Sequence, residues 1–409
     1  MPQTRKTRKT RTTRTTRSVR PRSRRSVVVA FLVAALLFMA GSFIAPLTIQ
    51  LLKPLPTDYD ATFRTAETSA LVAGDTVTPA NADRPECATP DLAPHSCFVD
   101  EVAAVSTQHT TTAATDTRTE ITAETTRELL LDGEPTARLD DEVRLARSSG
   151  YPVSDPVSRL VIDAPGLPGE LAPEPFIRTG LQYFFPFTLE RRSYDYFDTT
   201  AQLTVPLDYV GEGEHNGHEA YELHHTVTAV PLAEAVARAY LHPTELTAEP
   251  PPSGGALFGL LSDEQRAMTR AGHTSGPASR FFSDEELARF GFTGGEIVAV
   301  SPFYSVERTL WVEPRTGTIL DVAENVHVQL ATDQRQAEEL AFDTSPDRVL
   351  FAAESRWDGD TTAQQRAAAD EVVPWLRVLQ IFAVLMKAAS FLVAAWAVVT
   401  IVRHRRERP

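Results

Sequence analysis

Residues 27–52 read VVVAFLVAALLFMAGSFIAPLTIQLL, and residues 378–402 read VLQIFAVLMKAASFLVAAWAVVTIV. The first run carries no charge and the second carries one, Lys387. At a rise of about 1.5 Å per residue, each is long enough to cross a hydrocarbon core of about 30 Å. The charge of the chain is arranged around these runs. Residues 1–25 hold eleven Lys/Arg and no acid, and residues 403–409 hold four Arg and one Glu. Taking the +11 and +3 of the two ends from the net −14 leaves −28 for residues 26–402. Basic flanks on the terminal side of both runs place both termini in the cytoplasm and the acidic middle outside. The expected order is a basic tail (1–25), a transmembrane helix (26–52), an extracytoplasmic domain (53–372), a second transmembrane helix (373–402) and a short basic tail (403–409). The first run is longer than the 7–15 residues usual for a signal peptide, and no clean A-x-A site follows it. It is therefore read as a retained anchor. The Thr-Arg-Lys repeats of the first tail contain too little apolar surface to fold. They are read as a topology signal that touches anionic lipid, not as a nucleic-acid site.

The middle segment is large enough for a domain with its own core in this chain of 409 residues, 42% of them apolar. Its two cysteines, Cys87 and Cys97 in PECATPDLAPHSC, sit on the expected oxidising side and predict a disulfide. His95 alone does not make a metal site of them. Pro54-Leu55-Pro56 reads as a stiff stalk after the first helix. Thr-rich stretches such as residues 105–131 suit a pleated surface with one wet face. Residues 202–209 and 219–230 flank GEGEHNG (211–217), a hairpin with a Gly/Asn turn. Residues 304–313 and 318–330 flank Pro314-Arg315-Thr316-Gly317, a second hairpin. A Pro-rich break spans 248–255. Ser283 with Glu286 is a capping-box pattern, and a further helix is expected over 361–370. The fold class is α+β: a mostly antiparallel β domain with a few short helices, flanked by one transmembrane helix at each end.

Three strings carry a resemblance: YFFPFTLERRSYDYFD (183–198), VPLDYVGEGEHNGHEAYELHHTV (205–227) and RTLWVEPRTGTIL (308–320). With the two terminal helices and the Leu-Pro motif after the first, the chain resembles the actinobacterial porin A (PorA-type) family of membrane-anchored envelope proteins. That resemblance implies a helix at each end, an envelope-exposed middle and, by the family's name, a channel. It implies no catalytic residues.

The chemistry of the residues points away from catalysis. There is no G-x-S-x-G, Walker A or H-E-x-x-H, and GEGEHNG lacks the G-x-G-x-x-G spacing and leads into a strand. The chain is read as non-enzymatic, with no cofactor and no metal. His215, His218, His224 and His225 cluster near the first hairpin, but adjacent His224 and His225 face opposite sides of a strand. Tyr183, Phe184, Phe185, Phe187, Tyr194 and Tyr196 form the densest aromatic segment, with Arg191 and Arg192 between them. Core packing is one reading; the other is an apolar groove whose arginines meet an anionic headgroup. Lys387 lies near the middle of the second helix, at a cost of about 2.5–3.5 kcal/mol on insertion scales. It either snorkels or contacts a partner. Gly41 and Ala45, and Ser390 and Ala394, have the small-xxx-small spacing that lets helices pack closely, within one chain or in a homo-oligomer. The expected function is binding or moving a lipid or other hydrophobic envelope molecule. A channel-forming porin and a structural scaffold are the alternatives.

Overall fold

The computed structural model describes residues 22–52, 54–90, 92–241 and 255–406. Most of the first basic tail, residues 407–409 of the second and all but Gly255 of the Pro-rich break at 248–255 therefore lie outside the described residues. The chain divides into two compact units, one from the terminal segments up to Leu51 and from Trp375, the other from Leu52–Pro374.

The terminal unit consists of α1 (Arg22–Leu52) and the later part of the last helix (Gly359–Arg406), which contains Pro374. Both are long and apolar enough to cross a membrane. They pack antiparallel along a seam of small residues. Ala30, Ala34, Ser390 and Ala397 are buried there, while Leu32, Leu36, Leu392 and Trp396 stay exposed. The Ser390 hydroxyl donates to the Ala34 carbonyl oxygen at 2.7 Å, and Phe38 meets Phe391 edge-on at 6.3 Å. Gly41 is the tightest point: a Cβ there would stand 2.8 Å from the Ala383 carbonyl oxygen. The small residues that line the seam include Gly41 and Ser390 from the expected pairs; the Ala45 side chain lies outside the described residues. Lys387 is exposed, with its Cγ 3.2 Å from the same Cβ position, so its stem runs beside the seam.

The β unit is built on one antiparallel sheet. Its strands are β1 (Asp60–Arg64), β2 (Thr68–Ala73), β3 (Val99–Ala114), β4 (Glu120–Leu131), β5 (Glu134–Ala146), β6 (Arg159–Asp163) and β7 (Tyr194–Asp198). They continue with β8 (Leu203–His215), β9 (His218–Pro231), β10 (Thr274–Pro277), β11 (Ile297–Val312), β12 (Ile319–Ala331) and β13 (Val349–Arg356). The order across the sheet is β6-β5-β4-β3-β2-β13-β12-β11-β9-β8-β7, with β1 added on β3 and β10 on β11. Both expected hairpins form. In the first, the strands run through the Gly-Glu stretch, and the turn is only Asn216-Gly217, both at positive φ. That is the geometry an Asn-Gly pair favours. The Thr-rich stretch becomes β3 and β4, paired from Ala104↔Leu131 to Ala114↔Ile121. The Ser283 capping box starts a helix at Asp284–Phe290, and the helix expected over 361–370 is the start of Gly359–Arg406. Cys87 and Cys97 are joined, with Cα atoms 5.6 Å apart, and both are buried with Ala93 and Phe98. His95 gives its Nε2 to the Val349 carbonyl at 2.8 Å, a backbone contact that ties the disulfide loop to β13.

The sheet curls on itself. β4 and β12 are four steps apart, roughly 19 Å in a flat sheet at about 4.8 Å per step. Yet Arg127 on β4 reaches within 3.9 Å of Glu324 on β12. Further out, Asp141 on β5 is clasped by Arg178, whose guanidinium lies 4.5 Å from the Phe197 ring centroid on β7. The loop between β6 and β7 thus bridges the two ends of the sheet and encloses its concave face.

The helix seam generates a prediction. Gly41→Val puts a branched side chain against the Ala383 backbone. Cysteines introduced by Ala34→Cys and Ser390→Cys should cross-link efficiently in the otherwise unaltered chain and much less with Gly41→Val. An unchanged cross-linking yield would contradict the seam.

Candidate binding cavity in the β unit

The concave face holds a cavity of about 440 Å³. Its floor comes from β1, β3 and β4, and one wall comes from residues 183–187 of the β6–β7 loop. The first turns of the Gly359–Arg406 helix close another side with Gln364, Gln365, Ala368 and Val372. Two glycines let the aromatic segment seat closely. Gly150 and Gly317 both have positive φ, and a Cβ would stand 2.9 Å from the Phe184 carbonyl oxygen and 2.5 Å from the Phe185 carbonyl oxygen, respectively. The backbone N–H groups of Thr188 and Leu189 donate to the Arg315 and Pro314 carbonyls, fixing the end of the segment on the second hairpin's turn. Apolar lining is supplied by the Phe63–Trp357 stack, with centroids 5.0 Å apart, and by Phe184, which meets Tyr59 edge-on at 5.3 Å.

Polar lining is concentrated on charges that face inward. Arg308 donates from Nε to Glu324 at 2.5 Å and from Nη1 to Asp198 at 3.2 Å. Asp198 is fully enclosed and also accepts from the Tyr304 hydroxyl at 3.2 Å and from the Ala201 backbone N–H at 2.8 Å, with His225 Nε2 3.6 Å away. Burial pushes the Asp198 carboxyl up, but His225, Arg308 and the backbone donor outweigh it and hold it well below the usual carboxylate range. Burial likewise opposes ionisation of Glu324, and the Arg308 and Arg127 guanidiniums overcome it, so its pKa is lowered. Beside this cluster, Asp141 accepts two bonds from Arg178, at 2.6 and 2.7 Å, and one from the Tyr183 hydroxyl at 2.5 Å. Burial and the Asp141 charge raise the Tyr183 phenol well above its ordinary value, which keeps it a donor.

Five of the eight residues singled out in the sequence line the cavity: Tyr183, Phe184, Phe185, Phe187 and Tyr196. The other three lie elsewhere. Tyr194 is buried in the adjoining core and bonds to the Glu190 backbone. Arg191 is exposed and paired with Glu212 at 2.7 Å; Arg192 is exposed, paired with Glu190 and stacked over Tyr194 at 4.4 Å. The cations of the lining are instead Arg64, at an exposed position of β1, and the inward-facing pair Arg127 and Arg308. A sequence signal for them exists. Arg127 continues the inward phase of Ile121, Ala123 and Thr125, and Arg308 sits among Tyr304, Val306, Leu310 and Val312. A charge in the apolar phase of an alternating strand faces inward. The four histidines diverge: His215 bonds Asp321 and stacks on Trp311, His218 meets Asp370, His224 pairs with Glu222 and His225 is buried at Asp198. Among the described residues no group of three His, Cys, Asp or Glu side chains could hold a metal.

These features define a β domain with an internal amphipathic cavity, carried on a chain with two membrane-length helices. The sequence matches the family described as "Porin PorA" over residues 26–399, and the chain belongs to that family. It is 33% identical over 253 residues to a "Porin PorA" of Corynebacterium resistens and 26% identical over 253 residues to a "Porin PorA" of Corynebacterium amycolatum. Each match covers 58% of this chain and 60% of the relative, so the chain spans about three-fifths of the length of these relatives. Family and helices together make it a membrane-associated envelope protein.

The buried cluster sets a pH-dependent stability. The pKa of Glu324 is lowered in the fold, so its stabilisation is fully present above its ordinary value of 4.5 and is lost as pH falls through the lower folded value. Glu324→Gln leaves the buried Arg308 short of a counter-charge and should cost on the order of 3–5 kcal/mol at neutral pH. Because that loss is already taken, the variant should lose less further stability on acidification. Unfolding of the full chain in detergent across the acidic range checks this, and parallel pH profiles for the two proteins would contradict it.

Proposed function

We propose that the chain is a non-enzymatic, two-pass membrane protein with both termini in the cytoplasm. Its β domain binds a lipid or another hydrophobic envelope molecule in the cavity on its concave face. The observation that carries this reading is the lining itself: stacked aromatics and aliphatic side chains on one part, Arg127 and Arg308 about Glu324 on another, in a space of ligand size. The basic flanks and acidic middle support the topology. The exposed apolar faces of the helices, which carry Leu32, Leu36, Leu392 and Trp396, support contact with membrane lipids, with further copies or with a membrane partner.

The relatives' name, "Porin PorA", supports a second reading, a channel for solutes. The sheet is a poor candidate for the channel wall. Outward positions such as Asp208, His224, Thr226, Thr228 and Glu307 are polar and exposed, whereas a membrane barrel turns apolar residues outward. A pore in this chain falls to assembled helices.

The two readings separate in one preparation. Purified full chain should carry a co-extracted amphiphile detectable by mass spectrometry, lose it on Phe184→Asp, and give no discrete conductance steps in planar bilayers. Conductance steps from a preparation that carries no amphiphile would contradict the binding reading and favour the channel.

A further inference from the structure

We propose that the cavity takes a single-chain amphiphile with an anionic head, and that Arg127 is the residue that recognises the head. The inference rests on the cavity being a lipid site and specifies its ligand. Two observations support it, one of charge and one of size.

The charges in the cavity are not equivalently occupied. Arg308 uses Nε on Glu324 and Nη1 on Asp198, and its side chain is 8% exposed. Arg127 also lines the cavity, but its side chain is 39% exposed. It makes one hydrogen bond, from Nη2 to the Gln108 side-chain oxygen at 3.0 Å. Its Nη1 stops 3.9 Å from Glu324, beyond hydrogen-bonding distance, because Glu324 turns its other oxygen to Arg308. A guanidinium has five donors in a planar fork that matches a carboxylate or a phosphate. Arg127 therefore keeps donors for a ligand, in a place sheltered enough to strengthen a charged contact. The charged side chains that line the cavity are Arg64, Arg127 and Arg308 against Asp60, Glu324 and Glu371, so the lining is balanced and the unspent donors of Arg127 are what favour an incoming anion.

Size limits the rest of the ligand. A methylene group takes about the volume share of a water molecule, roughly 30 Å³. The cavity of about 440 Å³ therefore holds roughly fifteen such groups, the bulk of one acyl chain. The surfaces suited to that chain are the Phe63–Trp357 stack, Leu55, Phe184 and Phe187, all in the lining.

The test uses the full chain in nanodiscs of zwitterionic lipid and competition against a fluorescent fatty acid. Four probes are compared: palmitate, hexadecyl phosphate, hexadecanol and dipalmitoyl phosphatidate. Palmitate and hexadecyl phosphate should each bind at least about tenfold more tightly than hexadecanol and than the two-chain phosphatidate. The better of the two identifies a carboxylate or a phosphate as the preferred head. Arg127→Gln should weaken both single-chain anions about tenfold while leaving hexadecanol within about twofold. If that variant does not fold, the ranking of the four probes on the unaltered chain decides. Hexadecanol binding as tightly as palmitate would overturn the anionic head, and phosphatidate binding as tightly as hexadecyl phosphate would overturn the single chain; both leave the lipid site standing. Failure of all four probes to bind would overturn the lipid site itself.

Discussion

Arg308 is the point on which the β unit turns. It sits on a central strand, bonds Asp198 at the end of β7 and Glu324 on β12, and lies 5.4 Å from the Tyr196 ring centroid. Through Glu324 it approaches Arg127 on β4, so one inward-facing cluster touches strands from both arms of the sheet. Burying several charges is expensive, and well-packed apolar residues of the same volume are often no worse for stability. What the ions add is direction. A curled sheet lined only with aliphatic side chains would collapse into a filled core. Paired charges that must stay hydrogen-bonded hold the concave face at a fixed spacing and leave room between it and the aromatic segment. The Asp141–Arg178 clasp does the same at the far edge, where it anchors the bridging loop.

The outlines of this architecture were legible in the sequence for simple physical reasons. Hydropathy over 27–52 and 378–402 is a sum over many residues and survives any local detail. Asn216-Gly217 and Gly317 mark turns because few other residues accept positive φ. Cys87 and Cys97 had only each other. The extent of the sheet was harder. β5 follows β4 through Asp132-Gly133, both at positive φ, a two-residue turn of the same kind as Asn216-Gly217. The flanking strands are rich in Thr, Glu and Arg, so they show less apolar alternation than the strands of the other hairpins. The closure of the sheet depends on pairings between residues far apart in sequence, such as Arg127 with Glu324, which no local pattern encodes.

The site was half legible for a related reason. Aromatic density drew attention to 183–187, and those residues do line the cavity. The neighbouring Arg191 and Arg192 drew attention by adjacency alone, and they lie on the surface. Arg127, Asp141, Arg308 and Glu324 were hidden among many other charges. Each occupies the apolar phase of its strand, as Glu324 does between Val322 and Val326. Strand phase is thus a better guide to an interior charge than proximity to aromatic residues. The same distinction bears on Lys387, whose depth in the second helix invites a functional role but whose stem lies along the Gly41 seam.

Photo-labelling tests the cavity most directly. A palmitate analogue with a diazirine near its chain terminus can be supplied to membranes containing the full chain, cross-linked by light, and its attachment sites mapped by peptide mass spectrometry. Label should fall on residues 183–187 and on the strands bearing Phe63 and Trp357, and excess palmitate should compete it away. Label confined to residues 22–52 and 375–406, unaffected by palmitate, would show that the chain meets lipid only through its helices and would contradict a lipid site in the β domain.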